Sequence, residues 1–327
     1  MKIRTIVTLA VIAIALGGIS LWMGQQAYGW LPPQASAESL LIDDLFSFLV
    51  TLGTFIFLGV SGTLTYSVLF QRAGKYDFSD GPAIEGNVTL EVVWTAIPFA
   101  LVLWIASYSY QIYDQMAILG PMEHVHPTMA IAEAVPLASE AGISDPLEHI
   151  EVHSRQWAWE FHYPDRNVIS TELHLPSNQR IKLALRSEDV IHGFYIPAFR
   201  LKQDIIPNRL INFELTPIRE GIYRLRDSEY SGTYFSAMQA DVVVESPAAY
   251  EQWLSEAAVQ PRMAAYNQAF DEYQQASSNE SVAGWSSVLP ATPPVVNYGY
   301  QLKPRNFDGV RSQESEVSNG LASDVHS

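Results

Sequence analysis

The chain has 327 residues and a formal net charge of −16, with 48% hydrophobic and 17% charged residues. So acidic a chain is a poor partner for nucleic acid or anionic lipid, and neither class of function is expected. The absence of cysteine excludes disulfides, cysteine-ligated zinc and a cysteine nucleophile, and it is neutral about the compartment. The apolar composition predicts membrane segments plus a soluble part.

The first apolar stretch, residues 6–23, follows Lys2 and Arg4 and has two open interpretations. It is either a secretory signal, for which the small residues at 35–37 offer a cleavage site, or a first membrane helix. We therefore treat residues 1–37 as a signal peptide or a first membrane helix.

Two further apolar stretches, residues 45–70 and 92–113, are each long enough to cross a bilayer. The second of them ends in tyrosines, an arrangement that resembles the aromatic belt at a membrane surface. Residues 38–116 are thus predicted to form a two-helix transmembrane hairpin. Basic residues at the amino terminus and in the 71–88 loop place both inside, which predicts that the soluble remainder lies outside.

Glu91 stands at the predicted start of the last apolar helix. A carboxylate at the edge of a membrane segment is often functional. The alternative is an ordinary solvated side chain that favours the positive end of the helix dipole. Both interpretations stay open at this point.

Residues 117–147 form a connector that bears proline and alanine, with Met122, His124 and His126 close together. Methionine and histidine at alternate positions can bind copper, so a metal site is one interpretation. No further ligands follow in order. A solvent-exposed loop is the other interpretation.

Apolar and polar residues alternate in several short runs after residue 148, which is the pattern of half-buried strands. Turns with proline and glycine separate these runs, and the spacing predicts a β-sandwich over residues 148–247. Apolar residues at helical spacing then predict a helix over residues 248–276. The remainder, residues 277–327, is rich in serine, asparagine, proline and glycine and is predicted to be disordered.

Four motifs follow one another in the second half of the chain, at residues 190–194, 197–204, 221–223 and 229–238. Their order resembles the copper-domain signature of subunit II of haem-copper respiratory oxidases, and the resemblance covers roughly residues 41–255. It implies that the sandwich is a cupredoxin-like Greek-key domain, anchored by the transmembrane hairpin.

In copper-bearing members of that family, two cysteines, two histidines, a methionine and a glutamate carbonyl hold a binuclear copper (CuA) centre. This sequence has Asp227 and Ser231 at the cysteine positions and Phe235 at the position of the loop histidine. His192 and Met238 alone remain as side-chain ligands of that set. Because a binuclear copper centre needs bridging thiolates, we predict a degenerate site without copper.

The loop at 230–238 resembles the copper-free loop of quinol oxidases, whereas residues 200–204 are closer to the cytochrome c oxidase pattern. A hybrid of this kind resembles the alternative respiratory terminal oxidases. The predicted function is that of subunit II of a copper-free terminal oxidase, a quinol:oxygen oxidoreductase coupled to proton translocation. Two alternatives stay open: an oxidase fed by cytochrome c or another soluble carrier, and a membrane-anchored binding or assembly protein of oxidase ancestry.

The resemblance also implies roles for three residues. Glu91 matches the glutamate at the mouth of one proton-uptake channel of the catalytic subunit. Glu229 matches a carboxylate that reaches a magnesium or manganese ion at the contact with that subunit, and the alternative is a plain loop carboxylate. Trp157 matches the surface tryptophan through which electrons enter from cytochrome c, and the alternative is a structural residue of the sandwich.

The implied complex places the redox chemistry outside this chain, which supplies no catalytic residue and no redox centre. Haem and copper would belong to the partner subunit I, with subunit III, membrane quinol and membrane lipid as further partners. The implied location is the cytoplasmic membrane of a bacterium, or another energy-transducing membrane, with the soluble domain on the outer, periplasmic side.

Overall fold

The computed structural model describes most of the chain, namely residues 3–72, 76, 86–116, 148–278 and 288–299. The protein divides into two compact units, residues 1–120 with 198–200, and residues 121–197 with 201–327. The predicted connector with Met122, His124 and His126 lies outside the described residues.

Three long helices form the first unit: α1 (Ile3–Ala27), α2 (Ala37–Phe70) and α3 (Val88–Gln115). Each is long and apolar enough to cross a membrane, and large apolar side chains along all three are exposed within this chain. The first two helices approach closely at Gly24, whose carbonyl accepts a hydrogen bond from Ser47 Oγ at 2.9 Å. A Cβ at this glycine would collide with the facing helix, so the close approach requires glycine.

The second helix begins ahead of the apolar stretch that starts at residue 45. Ser36 caps it, because its side chain accepts the Ser39 N–H while the Ser39 side chain bonds the Ser36 backbone. This reciprocal capping box satisfies groups that a helix start otherwise leaves unpaired. The early start brings an acidic residue, Asp43, inside the helix.

Asp43 is neutralised within the first unit by Arg200, which belongs to the 198–200 segment of that unit. Arg200 Nε donates to Asp43 Oδ1 at 2.7 Å, and a terminal guanidinium nitrogen donates to Oδ2 at 2.9 Å. Gln34 donates to the same carboxylate at 2.8 Å. Both charged side chains are buried, so each depends on the other for compensation.

We expect Arg200→Met to destabilise the chain by about 3–5 kcal/mol, because it leaves the buried Asp43 carboxylate without its counter-charge. The double variant Asp43→Leu/Arg200→Met should recover much of the loss, since it removes both charges. Denaturant unfolding of the full chain in detergent measures this difference, with exposed Arg219→Met as the control. Equal losses in the single and double variants would contradict the prediction.

Among the described residues of the second unit, ten strands build a sandwich. In chain order they are β1 (Glu148–Arg155), β2 (Ala158–Tyr163), β3 (Val168–Ser170), β4 (Leu173–Pro176), β5 (Ile181–Ser187), β6 (His192–Ile196), β7 (Leu201–Ile205), β8 (Ile211–Leu215), β9 (Gly221–Asp227) and β10 (Gln239–Glu245). One sheet has the order β3-β2-β1-β5-β8 and the other β4-β10-β9-β6-β7. Burial alternates along strands such as β1 because one face of each sheet packs inward.

The single helix predicted over residues 248–276 is wrong, because the structure has two helices there. They are α4 (Pro247–Ala258) and α5 (Gln268–Ser278). Pro261 lacks an N–H and disfavours helical geometry at the residue before it, so one helix cannot run through this point. Asn267 caps the second helix by accepting the Phe270 N–H at 2.9 Å.

Residues 288–299, in the tail predicted to be disordered, have a defined backbone next to the sandwich. Within them β12 (Val295–Val296) pairs with β11 (Met263–Ala264). Asn297 then donates its backbone N–H to the Ile169 carbonyl and accepts the Ile169 N–H on its side chain. Composition alone predicted disorder because it does not show the long-range pairing. The strand β3 pairs with β2 on one side, and this segment covers its other, outer edge.

Candidate functional site

The candidate site lies where β6 begins and β9 ends. The two strands pair in antiparallel fashion, so the start of one lies beside the end of the other. His192 opens β6, Asp227 closes β9, and the following loop carries Ser231, Phe235 and Met238 before β10 begins. The fold therefore gathers the five residues of the predicted degenerate copper site at one end of one sheet.

His192 is fully buried and lies between two carboxylates. Its Nδ1 is 2.8 Å from Asp227 Oδ2, and its Nε2 is 2.9 Å from Asp189 Oδ1. Burial of the ring lowers the pKa of His192, but the hydrogen bonds to Asp189 and Asp227 outweigh burial, and the pKa is raised above its usual value. Each ring nitrogen faces a carboxylate oxygen, a group that only accepts hydrogen bonds when ionised, so this geometry leaves no free lone pair for a metal.

Asp227 is the centre of the hydrogen-bond network. Its Oδ1 accepts the backbone N–H groups of Gly193 at 2.7 Å and Glu229 at 3.1 Å. Its Oδ2 accepts the Ser231 hydroxyl at 2.7 Å in addition to the His192 ring. The two side chains at the cysteine positions thus bond each other, and Asp227 also bonds the histidine.

Asp189 completes the network, and the sequence analysis missed it. Besides the His192 ring, it accepts the backbone N–H groups of Gln156 and Val190, each at 2.7 Å. Burial raises the pKa of Asp189, but these hydrogen bonds together hold it below its usual range. The signal available in the sequence was an aspartate three residues before a histidine at a strand start.

Met238 and Phe235 take packing positions at this site. The Met238 side chain is buried, and its carbonyl accepts the Asp227 N–H at 3.1 Å and the Trp159 indole N–H at 3.3 Å. The ring of Phe235 is half-buried and contacts Tyr230, with ring centroids 5.2 Å apart. Phenylalanine offers no donor atom to a metal.

Trp157 is only 2% exposed. Its indole N–H donates to the Ser231 carbonyl at 3.2 Å, and its ring meets Tyr234 edge-on at 5.2 Å. Gly232 lies against the ring in a left-handed conformation, φ +118°, where a Cβ would come within 2.7 Å of the indole. The carbonyl of Trp157 accepts a hydrogen bond from Asn267 at 3.1 Å.

The two predicted functional glutamates occupy different surroundings. Glu91 lies exposed in the first turn of α3, just after Asn87 caps that helix by accepting the Leu90 N–H. Glu229 Oε1 lies 3.1 Å from Lys202 Nζ in a largely exposed ion pair. A metal ion at Glu229 would have to compete with this lysine.

The residues at the degenerate site do not fit a binuclear copper centre. Its bridging thiolates have no counterpart in a chain without cysteine. The carboxylate of Asp227 and the hydroxyl of Ser231 are hard oxygen donors that already bond to protein groups. Both nitrogens of the retained histidine are engaged by carboxylates, whereas a metal ligand needs a free imidazole lone pair.

Two family models match the chain. One, described as "Cytochrome C oxidase subunit II, transmembrane domain", matches residues 20–112, and the other, "Cytochrome C oxidase subunit II, periplasmic domain", matches residues 166–246. Three apolar helices followed by a β-sandwich therefore define an oxidase subunit II, and the fold predicted from the sequence is confirmed.

Two relatives named "Cytochrome c oxidase subunit 2" are each 35% identical to this chain. The one from Synechocystis sp. aligns over 80% of this chain and 85% of its own length, and the one from Thermostichus vulcanus over 72% and 80%. An "Alternative cytochrome c oxidase subunit 2" from Bradyrhizobium diazoefficiens is 29% identical over 33% of this chain and 50% of its own. The chain belongs to the cytochrome c oxidase subunit II family.

Among solved structures, the periplasmic domain of subunit II of cytochrome oxidase from Bradyrhizobium japonicum is 25% identical. The match covers 34% of this chain and 94% of that one, with a TM-score of 0.33. The predicted membership of the oxidase subunit II family is confirmed by the sequence matches. The copper-free form and the quinol donor stay predictions.

We expect the His192 network to stabilise the protein most in mildly acidic solution. Because the pKa of His192 is raised in the folded state, its contribution is fully present below the unfolded value of about 6.5 and is lost as the pH rises through the folded pKa. Denaturant unfolding of the full chain in detergent, from pH 5.5 upward, should show the gap between the wild type and His192→Gln narrowing with rising pH. The exposed His149→Gln serves as the control, and a gap that widens with pH would contradict this assignment.

Proposed function

We propose that this chain is subunit II of a terminal oxidase complex that lacks the binuclear copper centre and takes its electrons from a membrane quinol. The complex would reduce oxygen to water and move protons across the membrane. The observation that carries the proposal is that His192, Asp227 and Ser231, which stand at copper-ligand positions, are hydrogen-bonded through Asp227, with Asp189 as a further partner of the His192 ring.

The quinol donor is favoured by the path that electrons must take. A soluble donor docks on the outer domain and needs an acceptor there, which in copper-bearing members of the family is the copper. Without thiolates that acceptor cannot form. A quinol delivers electrons within the membrane, to haem in subunit I, and bypasses the sandwich.

The state of Trp157 supports the same donor. An entry point for electrons from a soluble protein must reach the surface of the domain. In this chain the indole is buried under the site loop, against Gly232 and Tyr234. Its packing is that of a structural residue.

The alternative donor, cytochrome c or another soluble carrier, is favoured by the names of the relatives at 35% identity and by the retained Trp157. It requires direct transfer across the sandwich into the catalytic subunit. Lys202 belongs to the segment 200–204, which is closer to the cytochrome c oxidase pattern, and its side chain is engaged in an ion pair with Glu229.

On the proposed function, this chain would be anchored in the membrane beside subunit I and would line the entrance of a proton channel. Helices α2 and α3 would anchor it beside subunit I, and the complex would include subunit III. Glu91, at the exposed start of α3, would line the mouth of a proton channel. Glu229 would offer a carboxylate oxygen to a magnesium ion at the subunit contact once Lys202 releases it. The sandwich would lie on the periplasmic side.

Oxygen uptake by the purified complex, with a reduced quinol or with reduced cytochrome c as sole electron donor, tests the proposal directly. We expect uptake with quinol and none above background with cytochrome c. Cytochrome-driven uptake would overturn the quinol assignment and would direct the search to Trp157. Failure of the chain to co-purify with a haem-bearing subunit would instead favour a binding or assembly protein.

Restoring the ligands tests the copper-free site. We expect the variant Asp227→Cys/Ser231→Cys/Phe235→His to gain the visible absorption of copper–thiolate bonds when loaded with copper, because it regains thiolates and the loop imidazole. The wild type should show no such absorption. The variant Ser236→Cys, in the same loop, is the control for an isolated thiolate, and a triple variant whose copper spectrum does not exceed that of Ser236→Cys would refute the assignment of these positions.

A further inference from the structure

We propose that the outward face of β1 and β2 binds a divalent transition-metal ion of the zinc class through Glu151, His153 and His162. This site is separate from the degenerate copper loop, and it does not depend on which donor feeds the oxidase. The three ligands come from two neighbouring strands of the other sheet.

Strand pairing places these side chains together. In the antiparallel ladder of β1 and β2, Glu151 faces His162 and His153 faces Glu160. Because side chains alternate along a strand, positions two apart share a face, so these four side chains form one square on the outer surface of the sheet. Two imidazoles and two carboxylates are thus held by backbone hydrogen bonds, not by a flexible loop.

The distances suit a single ion. One ring nitrogen from each histidine and one carboxylate oxygen of Glu151 lie within 4.8 Å of one another. His153 Nε2 and Glu151 Oε2 are 3.4 Å apart. Two ligands of a tetrahedral zinc, with bonds of about 2.0–2.1 Å, are separated by roughly the same distance. The two imidazole rings stack with centroids 4.3 Å apart, so small rotations bring the three donors around one point.

Further carboxylates are placed to orient the histidines. A metal-bound imidazole usually donates its second N–H to a carboxylate, which fixes the ring and strengthens the bond to the metal. Glu188 Oε1 lies 3.8 Å from His153 Nδ1, and Glu160 Oε2 lies 3.3 Å from His162 Nε2. Glu160 is also paired with Arg155 at 2.5 Å. That pairing leaves Glu151 as the carboxylate available for the ion.

The ligands are sheltered but reachable. The side chains of His153, His162 and Glu151 are 22%, 27% and 36% exposed, which leaves open positions on the metal for water. Imidazole nitrogen with carboxylate oxygen is a donor set that suits zinc and other transition ions, whereas magnesium and calcium prefer oxygen alone. The alternative is that these side chains form an ion-paired surface patch that binds no metal.

Calorimetric titration of the full chain in detergent with ZnCl₂ tests the site. We expect one saturable site per chain, with affinity at least tenfold weaker in His153→Gln and in His162→Gln, and weaker also in Glu151→Gln. Titration with MgCl₂ should show no binding at this site. Cobalt(II) in place of zinc should give visible bands that the same substitutions remove.

Two controls separate this site from other histidines. His149→Gln alters an exposed histidine of the same strand and should leave zinc affinity unchanged, and so should the double variant His124→Gln/His126→Gln. Unfolding curves recorded without metal show whether each variant still folds. Absent saturable binding, unchanged affinity in both His153→Gln and His162→Gln, or loss of binding in the His124→Gln/His126→Gln variant would overturn the proposal.

Discussion

An imidazole ring buried between two carboxylates is the constraint on which the loop end of the sandwich depends. Removing an ion from water costs several kcal/mol unless opposite charges and hydrogen bonds replace the solvent. At His192 the carboxylates of Asp189 and Asp227, one at each ring nitrogen, replace the solvent. Asp227 in turn collects the backbone of Gly193 and Glu229 and the hydroxyl of Ser231, so one carboxylate sets the path of the loop.

This arrangement performs by electrostatics what metal ligation performs in copper-bearing relatives. There, cations are held between thiolates and imidazoles, and they tie the loop to the preceding strand. Here the His192 ring lies between the carboxylates of Asp189 and Asp227, and Asp227 is the acidic group at a cysteine position. On the proposed copper-free function, the hydrogen bonds between His192 and Asp227 keep β6 tied to the loop after β9 and hold this end of the sandwich together without a redox centre.

The sequence was sufficient where a pattern is local and insufficient where contacts cross the chain. Apolar stretches and strand alternation predicted the helices and the sandwich, and motif order placed His192, Asp227 and Met238 in one site. The role of Asp189 was missed because it depends on a turn that folds back onto the start of β6. Pro261 was a local signal for the end of the helix, but the apolar face of the predicted helix obscured it. The place of residues 288–299 depends on the outer edge of β3, a strand more than a hundred residues away whose other edge pairs with β2.

The absence of the copper-ligand side chains explains why Trp157 can be buried. The backbone around it is held by distant groups, since Ala291 donates to the Gln156 carbonyl at 2.6 Å and Asn267 donates to the Trp157 carbonyl. A surface that receives electrons must stay open to its donor, whereas a domain without that task gains stability by burying an indole. On the proposed function the loop has no acceptor to serve, and burial of Trp157 then stabilises the domain at no cost to electron transfer.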